Sequence, residues 1–237
     1  MDILIHGSSA AAHALAWKLA ESRAADHIYC VPGNAGTQAL CEPYTGQDAA
    51  FSILTCPGME EVHYAVCAVS DGNHAFFFPA VHIKDRLSCF AEPEFALPAT
   101  ALPPEKGFYT LEYTCEGSLI RIADGLCGPA ACLSLAVLRG DLTALLSKME
   151  AGFPDDFSLE LRDGTAALIA IEGEIGAKIQ GLADLSGDIG VFIDSAERCG
   201  DHLRTTGKRA LFLCARDKSS DGCLQKLEKA AALVNIQ

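Results

Sequence analysis

The chain has 237 residues, half of them apolar, and a formal net charge of −13. That length and apolar content support a buried core and exclude a disordered chain, while the acidic balance argues against a nucleic-acid backbone or an anionic membrane as partner. No apolar run reaches membrane-spanning length and no basic segment with an apolar h-region opens the sequence, so a cytoplasmic location is expected.

Residues 2–6 are an apolar run that predicts a strand, and Gly7-Ser8-Ser9 predicts a tight turn. Residues 10–23 predict a helix that Ser8 or Ser9 can cap, with Ala12, Leu15, Ala16 and Leu19 along one side. Residues 27–31 read as a second strand, followed by a turn-rich loop over 32–37. Strand, turn, helix, strand and loop form the opening unit of a nucleotide-binding α/β domain. Both turns then fall at the carboxyl ends of neighbouring parallel strands, where such sheets hold ligands and helix-start amides favour anions. The candidate ligand-binding residues are Gly7, Ser8 and Ser9 at the first turn, His13 just inside the helix, and Pro32, Gly33, Asn34, Gly36 and Thr37 in the loop. The plain alternatives are an ordinary capped turn, a β-turn and a core or surface histidine.

Residues 38–50 read as a connector. Strands over 51–55, 62–69 and 75–81, with turns at Cys56-Pro57-Gly58 and Asp71-Gly72-Asn73, predict a β-meander. Residues 84–106 are proline-rich and predict an irregular loop. Strands over 108–114 and 118–122 pair around Glu116-Gly117, and helical material starts at 130–138 and runs on through 141–149 to Gly152. Beyond residue 153 the pattern predicts strands at 157–162, 166–171, 175–179, 190–193 and 210–215, and an amphipathic helix over 221–234.

Eleven cysteines, an odd number spread through apolar segments, predict buried reduced thiols rather than a disulfide framework. No C-x-x-C occurs, and Cys127 and Cys132 lack zinc-knuckle spacing and a histidine close by, so no metal site is expected. The carboxylate pairs Glu60-Glu61 and Glu172/Glu174 read as solvated edges rather than acid/base pairs. Lys84, Arg86, Lys208 and Arg209 read as surface charge, with a positive patch as the alternative. There is no G-x-S-x-G elbow and no histidine pair with metal spacing, so no catalytic residue is assigned.

The run His13-Ala14-Leu15-Ala16-Trp17-Lys18-Leu19-Ala20 and the loop over 32–37 resemble the amino terminus of glycinamide ribonucleotide synthetase (phosphoribosylamine–glycine ligase), an ATP-grasp family of purine biosynthesis. Where that family has Gly-Gly-Arg-Glu before the histidine, this chain has Ser9-Ala10-Ala11-Ala12. The pattern over 62–81 resembles the second half of the family's ATP-grasp domain, so 38–50 bridges a large deletion, and the glycine-rich, lysine-bearing ATP loop has no counterpart. The family's magnesium-holding Glu and Asn align with Arg121 and Ala123; Pro129 is kept, and Gly125 and Ala130 replace a further Arg and Glu. An arginine and a methyl group cannot supply the oxygen ligands magnesium needs. Thr205-Thr206-Gly207-Lys208-Arg209, followed by a strand and a helix, is similar to the family's carboxyl-terminal domain.

The resemblance implies an α/β fold: a Rossmann-like, pre-ATP-grasp fragment over 1–46, a truncated, β-rich ATP-grasp-like region over 47–152 and a small β-rich domain with a closing helix over 153–237. It implies a ligase-like pseudoenzyme without bound ATP or magnesium, acting as a small-ligand-binding or interaction protein. The ligand would be phosphoribosyl- or nucleotide-like, and a homodimer or protein partner would cover surface exposed by the deletion. The alternative is a reduced or partner-completed ligase that still joins phosphoribosylamine to glycine at the expense of ATP.

Overall fold

The computed structural model describes residues 1–58, 62–84, 87–90 and 102–237. The Glu60-Glu61 pair, Arg86 and most of the predicted proline-rich loop lie outside the described residues. In chain order the elements begin β1 (Asp2–Gly7), α1 (Ala10–Ala20), β2 (His27–Pro32), β3 (Phe51–Cys56), β4 (Tyr64–Asp71), β5 (Ala75–Phe77), β6 (Val81–Lys84) and β7 (Leu87–Phe90). They continue with β8 (Lys106–Tyr113), β9 (Leu119–Asp124), β10 (Leu126–Cys127), α2 (Gly128–Val137), α3 (Leu142–Ala151), β11 (Thr165–Glu172) and β12 (Lys178–Gln180). The last are β13 (Gly190–Ile193), β14 (Ala196–Cys199), β15 (His202–Thr205), β16 (Arg209–Asp217), α4 (Ser220–Leu233) and β17 (Asn235–Ile236).

Among the described residues these strands form three sheets. The first is parallel, in the order β10-β3-β1-β2, with Gly7 opposite Pro32 and Cys56 opposite Cys127. The second is antiparallel and runs β13-β16-β11-β7-β6-β4-β8-β9, with β5 branching from β4. The third is the small antiparallel set β14-β15-β12-β17. The mixed α/β class and the β-rich middle are as expected. The second sheet joins strands from residues 64–124 to strands from 165–217.

Several local expectations are corrected. β3 does not open a meander; it lies parallel beside β1 in the first sheet, so the opening unit recruits its third strand across the connector. Ile53 and Thr55 are buried while Ser52 and Leu54 are exposed, so β3 is a half-covered strand whose inward side meets the α-helical layer. Residues 138–141 interrupt the helical stretch, because Leu138 bridges Leu161 and Asp141 caps α3 by accepting the Thr143 amide. Residues 157–162 form only that single bridge, not a strand. The hairpin β14–β15, in which Glu197 lies opposite Arg204, has no counterpart among the sequence expectations.

The cysteine expectation is also corrected in one place. Cys56 and Cys127 form a disulfide with their Cα atoms 4.6 Å apart, closing a sequence separation of 71. It joins the end of β3 to the end of β10, directly before α2. Cys67, Cys132, Cys214 and Cys223 are free, buried thiols, as expected, whereas the free thiols Cys30, Cys41 and Cys199 are half-buried and Cys115 is exposed.

α1 and α2 form the layer against the sheets. Every residue of α2 is buried, and α1 buries Ala10, Ala11, Ala12 and Ala14 as well as the predicted stripe. Methyl-sized side chains allow α1 to be enclosed by the first sheet, α2 and β13 at once, which removes the polar face an ordinary surface helix would show. At its other end Lys18 is buried and ion-paired with Glu21 at 2.8 Å.

Candidate functional site

The carboxyl ends of β1, β2 and β3 converge on a cavity of about 350 Å³. Ser8 and Ser9 enter from the first turn, Gly33 and Asn34 from the loop after β2, and Pro57 from the end of β3. Asp194 and Ser195 from the β13–β14 connection, Glu197 from β14 and Thr206 after β15 close the opposite wall. Four sequence-predicted ligand residues are therefore drawn to one place by strand register: Ser8, Ser9, Gly33 and Asn34.

The N-terminus of α1 is not open. The Ser9 side chain makes no cap, and its hydroxyl is buried without a hydrogen-bond partner. Asp194 Oδ1 instead accepts the Ala10 backbone N–H at 2.9 Å. The other carboxylate oxygen, Oδ2, accepts from Arg209 Nε, also at 2.9 Å, and Asp194 is only 9% exposed. A carboxylate from the far end of the chain thus occupies the place where helix-start amides would attract a phosphate. Arg209, read from the sequence as surface charge, holds that carboxylate and stacks 4.9 Å from the Phe212 ring. Lys208 lies beside Glu172 at 3.9 Å and is exposed, in keeping with the sequence reading.

The loop over 32–37 is closed on itself. Asn34 Oδ1 accepts the Gly36 and Thr37 amides, at 2.9 and 3.0 Å, and Thr37 Oγ1 donates to the Asn34 carbonyl. Asn34 Nδ2 donates to the carbonyls of Ser8 and Ile193, both at 2.8 Å, and to that of Ser9 at 3.2 Å. One side chain thereby ties the first turn, the second loop and β13 together. Gly7 and Gly33 occupy positive φ, and a Cβ on Gly7 would fall 2.0 Å from Thr55 Oγ1.

His13 faces β13, not the cavity: its Nδ1 accepts the Ile193 amide at 2.8 Å. Burial pushes this imidazole down to about 4, so it is neutral at pH 7 and acts as an acceptor. The His13 and Trp17 rings both meet Phe192 edge-on, at 6.1 and 5.9 Å. Gly36 packs on the same imidazole, where an added Cβ would come within 2.2 Å of Nδ1. Pro32 and Thr37 line a separate cavity of about 240 Å³.

At the position compared with the magnesium site, Arg121 lies opposite Glu112 in the β8–β9 pairing, and its Nε donates to Glu112 Oε2 at 2.6 Å. The Glu112 side chain is 2% exposed. Ala123, the second compared position, is buried and opposite Thr110. Among the described residues, no group of three or more His, Cys, Asp or Glu side chains is gathered for metal binding. Glu172 and Glu174 are not brought together as an acid/base pair: Glu172 meets Lys208, and Glu174 uses its backbone carbonyl to accept from the Thr205 hydroxyl.

The sequence singles out none of Asp194, Ser195 and Glu197, and marks Thr206 only within the turn compared with the family's carboxyl-terminal domain. Asp194 follows the apolar run of β13, which marks a strand end, but no local pattern reveals that it reaches a helix 184 residues away.

Residues 1–71 match the family of phosphoribosylglycinamide synthetase, N domain. Phosphoribosylamine–glycine ligase of Yersinia pestis is 60% identical over 37 residues, which are 16% of this chain and 9% of that protein. The corresponding ligase of Clostridium acetobutylicum is 51% identical over the same length, again 9% of its own chain. The crystal structure of phosphoribosylamine–glycine ligase from Thermotoga maritima superposes with a TM-score of 0.72 and 14% identity, over 100% of this chain and 98% of that one. The likeness inferred from the opening residues is thus one of sequence in the first unit and one of fold over the whole chain.

Proposed function

We propose that this chain is a phosphoribosylamine–glycine ligase-like protein that has given up ATP and magnesium binding, and with them ligation, and works as a binding protein for a small ligand or a partner. The observation that carries the reading is the Arg121–Glu112 pair. A guanidinium held 2.6 Å from a buried carboxylate puts positive charge where the related ligases need anionic oxygen to hold a cation. Phosphoryl transfer without that clamp forfeits most of its electrostatic stabilisation. Asp194 supports the same reading at the other site, since it places a carboxylate on the helix amides that would otherwise receive phosphate.

What remains at the strand ends suits an uncharged, hydroxyl-bearing group better than a phosphate. Ser8, Gln38, Ser195 and Thr206 offer hydroxyls and an amide, and the fixed charges of the lining, Asp194 and Glu197, are negative. The ribose end of a nucleoside or phosphoribosyl-like compound fits that chemistry.

The test is turnover: ADP release by the full chain with ATP, magnesium, phosphoribosylamine and glycine. The reading expects a rate no higher than that of the reaction without protein. Sustained ADP release coupled to formation of the amide overturns it.

A further inference from the structure

β3 has a bare edge. On one side residues 3–6 of β1 pair with residues 51–54. On the other side β10 reaches only Thr55 and Cys56, so among the described residues no strand pairs with 51–54 there. The start of β8 faces this gap. Lys106 and Gly107 pair with Asp71 and Ser70 of β4, but β9 joins β8 only from Tyr109 onward. Between β3 and β8 lies a cavity of about 650 Å³, which shares no lining residue with the strand-end cavity. All of residues 50–54 line it, as those of a strand standing edge-on do, since side chains of a strand seen face-on alternate in and out.

The cavity is a recess closed at one end. The Gly125 amide donates to the Phe108 carbonyl at 2.7 Å, and a Cβ on Gly125 would fall 2.1 Å from the Leu54 carbonyl oxygen. Gly107 lies on the far wall, where an added Cβ would meet no described atom within 4 Å. Met149 and Glu150, at the end of α3, complete that wall. Leu54 leaves 47% of its surface exposed beside the edge. The charges are uneven. Lys106 is matched by Glu150 at 3.5 Å, while Glu105 and Asp124 are exposed and make no ion pair among the described residues.

We infer that this recess docks an extended, basic segment of a partner protein, which adds a strand to the first sheet along residues 51–54. An open strand edge recruits extended chain through main-chain hydrogen bonds, and the walls around it select the side chains. The free stretch of β3 is about 13 Å long, and an added strand there continues the line that β10 already occupies. A single chain fits between the walls. The edge of a second globular copy does not, because β8 and the end of α3 stand in front of β3. Leu54 calls for an apolar side chain, and Glu105 and Asp124 for lysine or arginine. The net charge of −13 draws a partner of the same sign as those side chains.

Fluorescence anisotropy of the full chain with a labelled decapeptide of alternating valine and lysine tests the inference. Saturable binding below millimolar concentration is expected, and the double variant Glu105→Lys/Asp124→Lys should weaken it about tenfold. Two further peptides carry backbone N-methyl groups, one on its lysines and the other on its valines. An edge-bound strand turns only every second amide toward its neighbour, so one of the two should bind about tenfold more weakly than the other. Hydrogen exchange over residues 51–54 should slow when the unmethylated peptide is bound. Absence of saturable binding, or equal weakening by the two methylated peptides, overturns the inference. So does a dimer of the chain that protects the same residues, since it gives the recess to a second copy.

Discussion

Asp194 Oδ1 accepts the Ala10 backbone N–H at 2.9 Å across 184 residues of sequence. The contact joins the β13–β14 connection to the first helix. It also decides what the strand-end cavity can hold, because a helix N-terminus already neutralised by a carboxylate has little left to offer a second anion. Arg209 completes the arrangement, so the cap is half of an ion pair and not an isolated charge.

Asp194→Ala should therefore do two things. It should cost about 2–4 kcal/mol in urea denaturation, from loss of the cap and from leaving the Arg209 guanidinium without this carboxylate. It should also create inorganic-phosphate binding that the unsubstituted chain lacks, measured by calorimetry. Asp194→Asn, which keeps an acceptor for Ala10, should lose less stability.

Arg121→Ala removes the cation facing Glu112 and should destabilise by about 1–3 kcal/mol, the scale of a charge-assisted hydrogen bond to a buried group. Arg121→Lys should recover only part of that loss, since a point charge on a flexible stem replaces a planar donor. Chemical denaturation of the three proteins provides the comparison.

His13 gives the fold a pH dependence with a definite sign. Its folded value of about 4 lies below the ordinary 6.5, so between those values the unfolded chain binds the proton more readily than the native one. This contribution is fully present above pH 6.5 and is lost as the pH falls toward 4, with a total of about 3 kcal/mol. His13→Gln, which does not titrate and keeps an oxygen for the Ile193 amide, should flatten the stability profile in that window.

The Cys56–Cys127 bond should raise stability by about 2–4 kcal/mol through closure of the 71-residue separation. Urea curves with and without reductant should differ by that amount, and the double variant C56S/C127S should show the lower stability without this reductant-dependent difference.

Much of this was legible along the chain. The opening strand, turn, helix and strand follow from apolar spacing and turn residues, and parallel register alone placed Ser8 and Asn34 at one end of the sheet. The final helix followed from its spacing, and Ser219 caps it by accepting the Gly222 amide. The place of β3 is not legible because a half-buried strand has the same alternation in a parallel sheet as in a meander, and the partner is chosen by contacts the pattern does not contain. Alanine at α1 looked like one stripe because methyl groups give no amphipathic contrast, whereas the helix is enclosed on several sides. His13 and Gly36 pack against each other, a contact the sequence does not reveal: the imidazole fills the space that a Cβ on Gly36 would need. Asp194 was invisible for a simpler reason, since a side-chain contact over such a separation leaves no local trace.

Isothermal calorimetry of the full chain with magnesium and ATP measures the central claim most directly. The account predicts no saturable binding up to millimolar nucleotide, because the proposal takes Arg121 to stand where the resemblance puts a magnesium ligand, and the resemblance gives the ATP loop no counterpart. Saturable binding at millimolar affinity or tighter, dependent on magnesium, would contradict it.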